Sequence, residues 1–425
     1  MNISNGPRDS AQLRVLVQSA ESLLTDRAED WDRLSGGVPF RQTMWLRPLW
    51  TQFGQSQRSC FLTVWDNEDR LRGILPLERF GSRDWQSIGS LPCTDHVSIL
   101  CQELDRQNVA AAIADFLVTH VHDPNHGWDR LHFGGVLAGD PGMSALIEEL
   151  DHHRVSIRIE SRMNVWFRSS AETWDQFLHS RSRKCRHRLR LLVRQFESAD
   201  DLIRVQFPAD EGEVTTYLNE LIRLHQIHWQ AMGKPGSYAA DGMIHFIHDA
   251  ALAAFRQNRL FLPVLIRTDP ITGHGSVLAA QIHFIGEDGR FYCYSSGVNY
   301  EHGERTPGNL LNAYLLRHAH ENHSSGIDFM RGDEEYKSRI YAEPTPLLNL
   351  NAFAPTPLGW LKLAALDTCI GAKQTYRHLR KRPLSTTYSI EEAFDVKFQT
   401  GLPRHVDPID ETRCDAPPVI LPIHG

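Results

Sequence analysis

The chain repeats itself, and a repeat of this length fixes how many units there are to fold. Cys60-Phe61-Leu62-Thr63-Val64 opens a β-like run, and Leu260-Phe261-Leu262-Pro263-Val264 restates its F-L-x-V core 200 residues later. A turn follows each, Asp66-Asn67-Glu68-Asp69 in one and Asp269-Pro270-Ile271-Thr272-Gly273 in the other. A second β-like run comes next, Leu71 to Leu77 and Ser276 to Phe284, so each half reads as a hairpin. Further on, both halves hold a helical stretch and then a strand with Phe close before Gly, Leu131-His132-Phe133-Gly134 and Ile327-Asp328-Phe329-Met330-Arg331-Gly332. The distance from first to last Phe is 72 residues in one copy and 68 in the other, and matching order and spacing point to duplication. The units are expected at 1–165 and 166–350, with 351–425 forming a C-terminal helix and an irregular, proline-rich tail.

Periodicity predicts helices near Asp105 to His120 and Pro141 to His152 in the first unit. In the second it predicts Thr173 to Ser180, Ser182 to Ser198, Glu211 to Gln230 and Gly242 to Gln257. Composition narrows the class. A chain of 425 residues, 41% apolar and 23% charged, is long enough for two or three globular domains. Its longest apolar stretches are cut by Asp115 and Asp367, short of the roughly 20 residues that span a bilayer, so no membrane span is expected. The first twenty residues do not read as a secretory signal. Seven cysteines without C-x-x-C spacing fit buried thiols in a reducing compartment, which places the chain in the cytoplasm. The net charge of −7 disfavours duplex nucleic acid as a partner and confines any anion site to a local patch.

One such patch stands out. Arg181 to Arg194 carries seven Lys and Arg in fourteen residues, with Leu189, Leu192, Val193 and Phe196 as an apolar stripe. A helix here packs by one face and presents Arg183, Lys184, Arg186 and Arg190 on the other, to an anionic ligand or simply to solvent. A second motif follows the strand Phe291 to Ser296. Thr306 suits an N-cap, Pro307 suits N1, and Gly308 leaves the backbone of the first turn approachable, so its N–H groups are placed to hold a phosphate. The bland alternative is an ordinary capped helix. The third motif, Asp328 to Lys337, packs Asp333, Glu334, Tyr336 and Lys337 at a strand end, where carboxylates accept protons and Tyr or Lys donates them or stabilises negative charge. Its alternative is a salt-bridged turn. His225/His228 and His245/His248 have i, i+3 spacing without further ligands, so no metal is expected. No nucleophile elbow, P-loop or dinucleotide fingerprint is present.

Taken in order, S-R-K-x-R-x-R-L-R (Ser182 to Arg190), T-P-G-N-L-L (Thr306 to Leu311) and I-D-F-M-R-G-D-E-E-Y-K (Ile327 to Lys337) resemble the CelD/BcsL-like acetyltransferase family, a branch of the GNAT superfamily linked to bacterial cellulose biosynthesis and related to the Fem transferases. The resemblance implies an α+β fold of tandem GNAT-like acyltransferase domains, each a mixed, mostly antiparallel sheet with flanking helices. It implies acetyl-CoA or another acyl-CoA as co-substrate and a small-molecule or saccharide acceptor, with direct attack and no metal. By this likeness Arg305, Thr306, Pro307, Gly308 and Asn309 bind the donor's phosphates, Arg183, Lys184, Arg186 and Arg190 flank the acceptor, and Lys337, Asp333, Glu334 and Tyr336 carry the chemistry. The usual Q/R-x-x-G-x-G/A coenzyme-A loop is replaced by Gly303 to Gly308. Two alternatives stand beside this expectation: a Fem-like aminoacyl transferase using aminoacyl-tRNA, and a non-catalytic binding module of the same fold.

Overall fold

A computed structural model describes residues 13–88, 95–197, 202–300, 307–379 and 385–395. Their contacts group into two units, one within residues 1–163 and 346–400 and the other within 164–345. Both are mixed α+β.

In the first unit β1 (Arg14–Gln18), α1 (Ala20–Asp26), α2 (Ala28–Leu34) and α3 (Thr43–Phe53) precede a hairpin of β2 (Phe61–Trp65) and β3 (Leu71–Leu75). Short strands β4 (Leu77–Arg79), β5 (Asp84–Ser87) and β6 (Leu100–Cys101) lead to α4 (Arg106–Thr119), β7 (Arg130–Leu137), α5 (Pro141–His152) and β8 (Ser156–Ser169), whose later residues belong to the second unit. The hairpin is antiparallel with Leu62 opposite Leu75, and β5 lies parallel to β7 with Trp85 opposite Leu131 and α4 as the crossover. Trp85, Trp128 and Phe133 are fully buried against Ile113, Leu117 and Leu146. The Trp128 indole N–H is satisfied by the Leu117 carbonyl at 2.8 Å, so this side chain is buried without an unpaired donor.

The second unit contains α6 (Trp174–His179), α7 (Arg183–Glu197), β9 (Ile203–Gln206), α8 (Glu211–Ala231), α9 (Met243–Arg256), β10 (Leu260–Phe261), β11 (Val264–Thr268), β12 (Gly275–Ile285), β13 (Phe291–Val298), α10 (Pro307–Glu321), β14 (Gly326–Arg331) and α11 (Glu335–Arg339). β11, β12 and β13 run antiparallel, and β14 joins β13 in parallel through the crossover α10. The connectivity of the first unit therefore recurs. It differs where Thr63 of β2 is matched by Pro263: lacking an N–H, proline ends β10 and the ladder resumes at Val264. The apolar stripe of α7, with Leu189 and Leu192 buried, packs into a core with Leu310, Leu311 and Leu315 of α10, which leaves its arginines facing outward.

The chain then returns through β15 (Glu343–Phe353) to α12 (Pro357–Leu379), β16 (Thr386–Tyr388) and α13 (Ile390–Ala393) in the first unit. Part of the expected irregular tail is thus ordered: β16 pairs with Ile159 to Ser161, and Ala393 and Phe394 enter the first core. A strand of three residues and a helix of four, started by a Ser389/Glu392 capping box, are too short to leave a period in the sequence.

Helix α8 lies very close to β13. A Cβ on Gly297 would sit 2.6 Å from the Leu221 carbonyl and 2.8 Å from the Leu224 Cβ, so the contact exists only because residue 297 has no side chain. Gly297→Val is expected to destabilise the second unit by about 1–3 kcal/mol through overpacking, read as a lower denaturant midpoint. An unchanged midpoint would mean that α8 is free to shift.

Candidate functional site

The site arises where two parallel strands part. β13 and β14 are paired at Phe291 with Ile327 and Tyr292 with Asp328, and the ladder ends there although β13 continues to Val298. The cause lies in β14. The Asp328 carboxylate accepts the Met330 N–H at 2.7 Å, Met330 takes a left-handed φ of +56°, and the pairing of β14 with β8 shifts between Asp328 and Arg331. A short Asx-type turn thus bends the strand end away from β13. Gly332 continues the bend at φ +111°, where a Cβ would meet the Glu334 carboxylate at 2.6 Å.

Lys337 holds this bent end. Its side chain is 2% exposed, and Nζ donates to the carbonyls of Met330 (3.1 Å), Arg331 (2.8 Å) and Gly332 (3.2 Å) while pairing with Glu334 at 2.8 Å. Four oxygens surround three ammonium hydrogens, so an oxyanion role for Lys337 requires one of these bonds to be given up. Asp333 points elsewhere, accepting from Asn164 Nδ2 (2.8 Å) and Trp166 Nε1 (3.1 Å).

The parted strands open a cavity of about 100 Å³. β13 lines it from Cys293 to Val298, Phe329 comes from β14, Glu334 from the N-cap of α11, and Tyr336 and Lys337 from α11 itself. Gly308, Asn309 and Asn312 line it from the first turns of α10. Of the residues expected to carry chemistry or bind the donor, Glu334, Tyr336, Lys337, Gly308 and Asn309 therefore meet at one cavity. Asp333 and Pro307 are not in its lining, and Arg305 and Thr306 lie outside the described residues. Arg183, Lys184, Arg186 and Arg190 share a separate surface recess with His187 on α7. A third recess, about 150 Å³ and lined by Lys184, Arg188, Leu189 and Arg339 among others, shares Asn309, Asn312 and Tyr336 with the first.

His225 on α8, weighed in the sequence only as a metal ligand, also lines the cavity, and sequence reasoning missed Gln281 and His283 on β12, Cys293 on β13 and Asn312 on α10. Two polar residues at alternate positions of the apolar run Leu278 to Phe284 were the available signal, because a polar side chain on a buried sheet face needs a partner or a use. The ionisable groups are strongly perturbed. Burial, with Asp328 nearby, pushes the Cys293 thiol well above its ordinary value, and burial with Glu334 does the same to the Tyr336 phenol. Burial lowers His225 to about 4 and His283 to about 3. His225 uses both ring nitrogens: Nε2 accepts from Trp229 Nε1 at 2.9 Å, so Nδ1 carries the hydrogen toward Gln226 Oε1 at 3.2 Å. His248 binds Asn219 at 3.0 Å, and no group of three potential ligands that could hold a metal occurs among the described residues.

Residues 183–338 match the family described as an acetyltransferase (GNAT) domain. The match lies within the second unit, whose fold is GNAT-like. No curated protein sequence matches the chain. Among solved structures, FemX is similar at TM-score 0.55 and 11% identity, over 80% of this chain and 98% of that one. A conserved protein of unknown function from Bacteroides thetaiotaomicron VPI-5482 is similar at TM-score 0.51 and 11% identity, over 80% of this chain and all of that one. At such identity the likeness is one of fold, and its coverage extends it beyond residues 183–338 into the first unit. Among the described residues no helix is long and apolar enough to cross a membrane.

Two expectations concern the stability of the second unit. Lys337→Met removes one member of a buried ion pair and the donor for three carbonyls, so a loss of about 3–5 kcal/mol is expected in denaturant unfolding. A variant as stable as the parent would return Lys337 to the list of free cations. The second concerns acid. His225 is neutral in the fold down to about pH 4, whereas an unfolded His binds a proton near pH 6.5, so between these values the unfolded state holds more protons. Its contribution, on the order of 3 kcal/mol, is complete above pH 6.5 and is lost as pH falls through 4. Unfolding free energies at pH 7, 5.5 and 4.5 should decline for the parent and less steeply for His225→Gln.

Proposed function

We propose that the GNAT domain transfers an acyl group from an acyl-CoA thioester to an amine or hydroxyl of a small metabolite or saccharide by direct attack. The observation that carries this reading is the parting of β13 from β14 beside the first turn of α10. An extended chain bearing amides is suited to an open strand edge, which offers backbone donors and acceptors along its length. The first turn of α10 adds N–H groups with no partner inside the helix, the right complement for a pyrophosphate. Lys184, Arg188 and Arg339 beside the adjoining recess supply cations for further phosphate charge.

The state of the ionisable groups supports direct attack. A thiol held protonated by burial is a poor nucleophile, which disfavours an acyl-cysteine intermediate on Cys293. Tyr336 brings a protonated phenol to the cavity for the departing thiolate, although the burial that raises its pKa also makes it a weaker acid. The recess formed by Arg183, Lys184, Arg186 and Arg190 fits an acceptor that carries an anionic group, and the local extent of that charge argues against tracking along a duplex. A saccharide acceptor would accord with the resemblance to the cellulose-associated branch. FemX likeness keeps aminoacyl transfer as the competing reading, which differs in needing an aminoacyl ester rather than coenzyme A.

Gly308→Leu places a side chain over the first turn of α10. Calorimetry with coenzyme A should show affinity reduced by about tenfold or more while the circular dichroism spectrum stays unchanged. Equal affinity in both proteins would remove this turn from the donor site, and absence of coenzyme-A binding to the parent would favour the aminoacyl reading.

A further inference from the structure

His283 is 1% exposed and lines the cavity, and its Nδ1 is a buried ring nitrogen with no hydrogen-bond partner. Its other nitrogen is committed. Gln281 Nε2 donates to Asn312 Oδ1 at 2.9 Å, which turns Gln281 Oε1 toward His283 Nε2 at 3.2 Å. An amide oxygen only accepts, so Nε2 carries the hydrogen and Nδ1 is left with an unshared lone pair. Local backbone geometry produces this aim: Gln281 and His283 share one face of β12, and a bulge at Tyr294 brings Cys293 rather than Tyr294 opposite His283.

The other ionisable groups around the cavity are already occupied. Glu334 is paired with Lys337, whose hydrogens are all used, and His225 has a partner at each nitrogen. Cys293 and Tyr336 are held protonated, and His228 is only half-buried, packed against the Tyr300 ring at 5.5 Å. A base oriented by a third group is the arrangement that general-base catalysis requires.

We propose that His283, fixed in its Nε2–H form by Gln281 and Asn312, accepts the proton of the attacking amine or hydroxyl at Nδ1. The inference rests on the acyl-transfer reading above. The nucleophile's lone pair forms the bond to the thioester carbonyl carbon while its hydrogen passes to Nδ1. The C–S bond then breaks with its electron pair on sulfur, which takes the Tyr336 proton, and the imidazolium returns a proton to the phenolate through solvent. Burial alone weakens this base, and it does so by penalising an isolated imidazolium. In the reaction the imidazolium forms only as negative charge develops on the carbonyl oxygen and then on sulfur in the same cavity, which offsets that penalty. Gln281 and Asn312 are positioning residues and do not themselves take the proton.

Three measurements on the full chain test this. Nitrogen-15 NMR of the histidine rings in the parent protein should show His283 neutral at pH 7 with the hydrogen on Nε2, and Gln281→Leu should mix the two tautomers; a hydrogen on Nδ1, or an imidazolium at pH 7, overturns the proposal without reference to activity. Thiol release from acetyl-CoA, with a panel of amines and with water alone as nucleophile, should fall about 100-fold or more in His283→Asn, with coenzyme-A affinity within twofold by calorimetry. The solvent isotope effect on the residual rate should also be lost. Undiminished turnover in a folded variant assigns Nδ1 to a structural water and sinks the proposal. If the parent itself binds no coenzyme A, the thioester reading fails, the proton-accepting role falls with it, and the tautomer result tells that failure apart from a wrong reading of His283.

Discussion

A single ammonium group sets the shape of the second unit's cavity. A strand that bends away from its neighbour exposes carbonyls that must find donors, and in a buried place water does not supply them. Lys337 supplies three bonds from one atom, and Glu334 neutralises the charge this brings inside. The turn at Met330, the parting of the strands and the cavity between them all depend on that arrangement. The strand end could not stay bent around an apolar side chain of the same length.

The duplication makes the contrast between the units instructive. Both contain a hairpin, a parallel strand pair and a crossover helix in the same order. In the first unit the parallel pair is filled: Trp85 of β5 and Phe133 of β7 are fully buried, with Trp128 beside them in the same core. In the second, β13 presents Cys293, Ser295, Ser296 and Gly297, and the space is open. The same connectivity thus surrounds a core of large aromatic side chains in one copy and a cavity in the other, and side-chain volume marks the difference, since both second strands pass through a positive-φ residue, Gly135 and Met330.

Much of this was legible in the sequence, because a duplicated order of elements needs only periodicity and turn residues to be seen. The density of charge from Asp328 to Lys337 also marked the strand end beside which the cavity lies. What charge density could not divide was holding from reacting. Asp328 shapes the turn, Asp333 binds Asn164 and Trp166, Lys337 fastens the carbonyls with Glu334 as its counter-ion, and Tyr336 lines the cavity. These assignments follow from aim, and neighbouring residues in a motif have no common aim once a strand turns. Gln281 and His283 left a signal as polar residues in an apolar run, but their aim was not legible, because the bulge that orients them lies on the partner strand, at Tyr294.

Asn309, Asn312 and Tyr336 each border two recesses, the cavity between the strands and the more apolar one beside α7. The partition between these spaces is therefore built from side chains on two helices, with no sheet backbone in it. Walls of that kind can be thinned or thickened by a single codon change, and doing so need not disturb the ladder or the core. A descendant lineage could join the two chambers to admit a longer tail, or seal one of them, while every strand stays where it is.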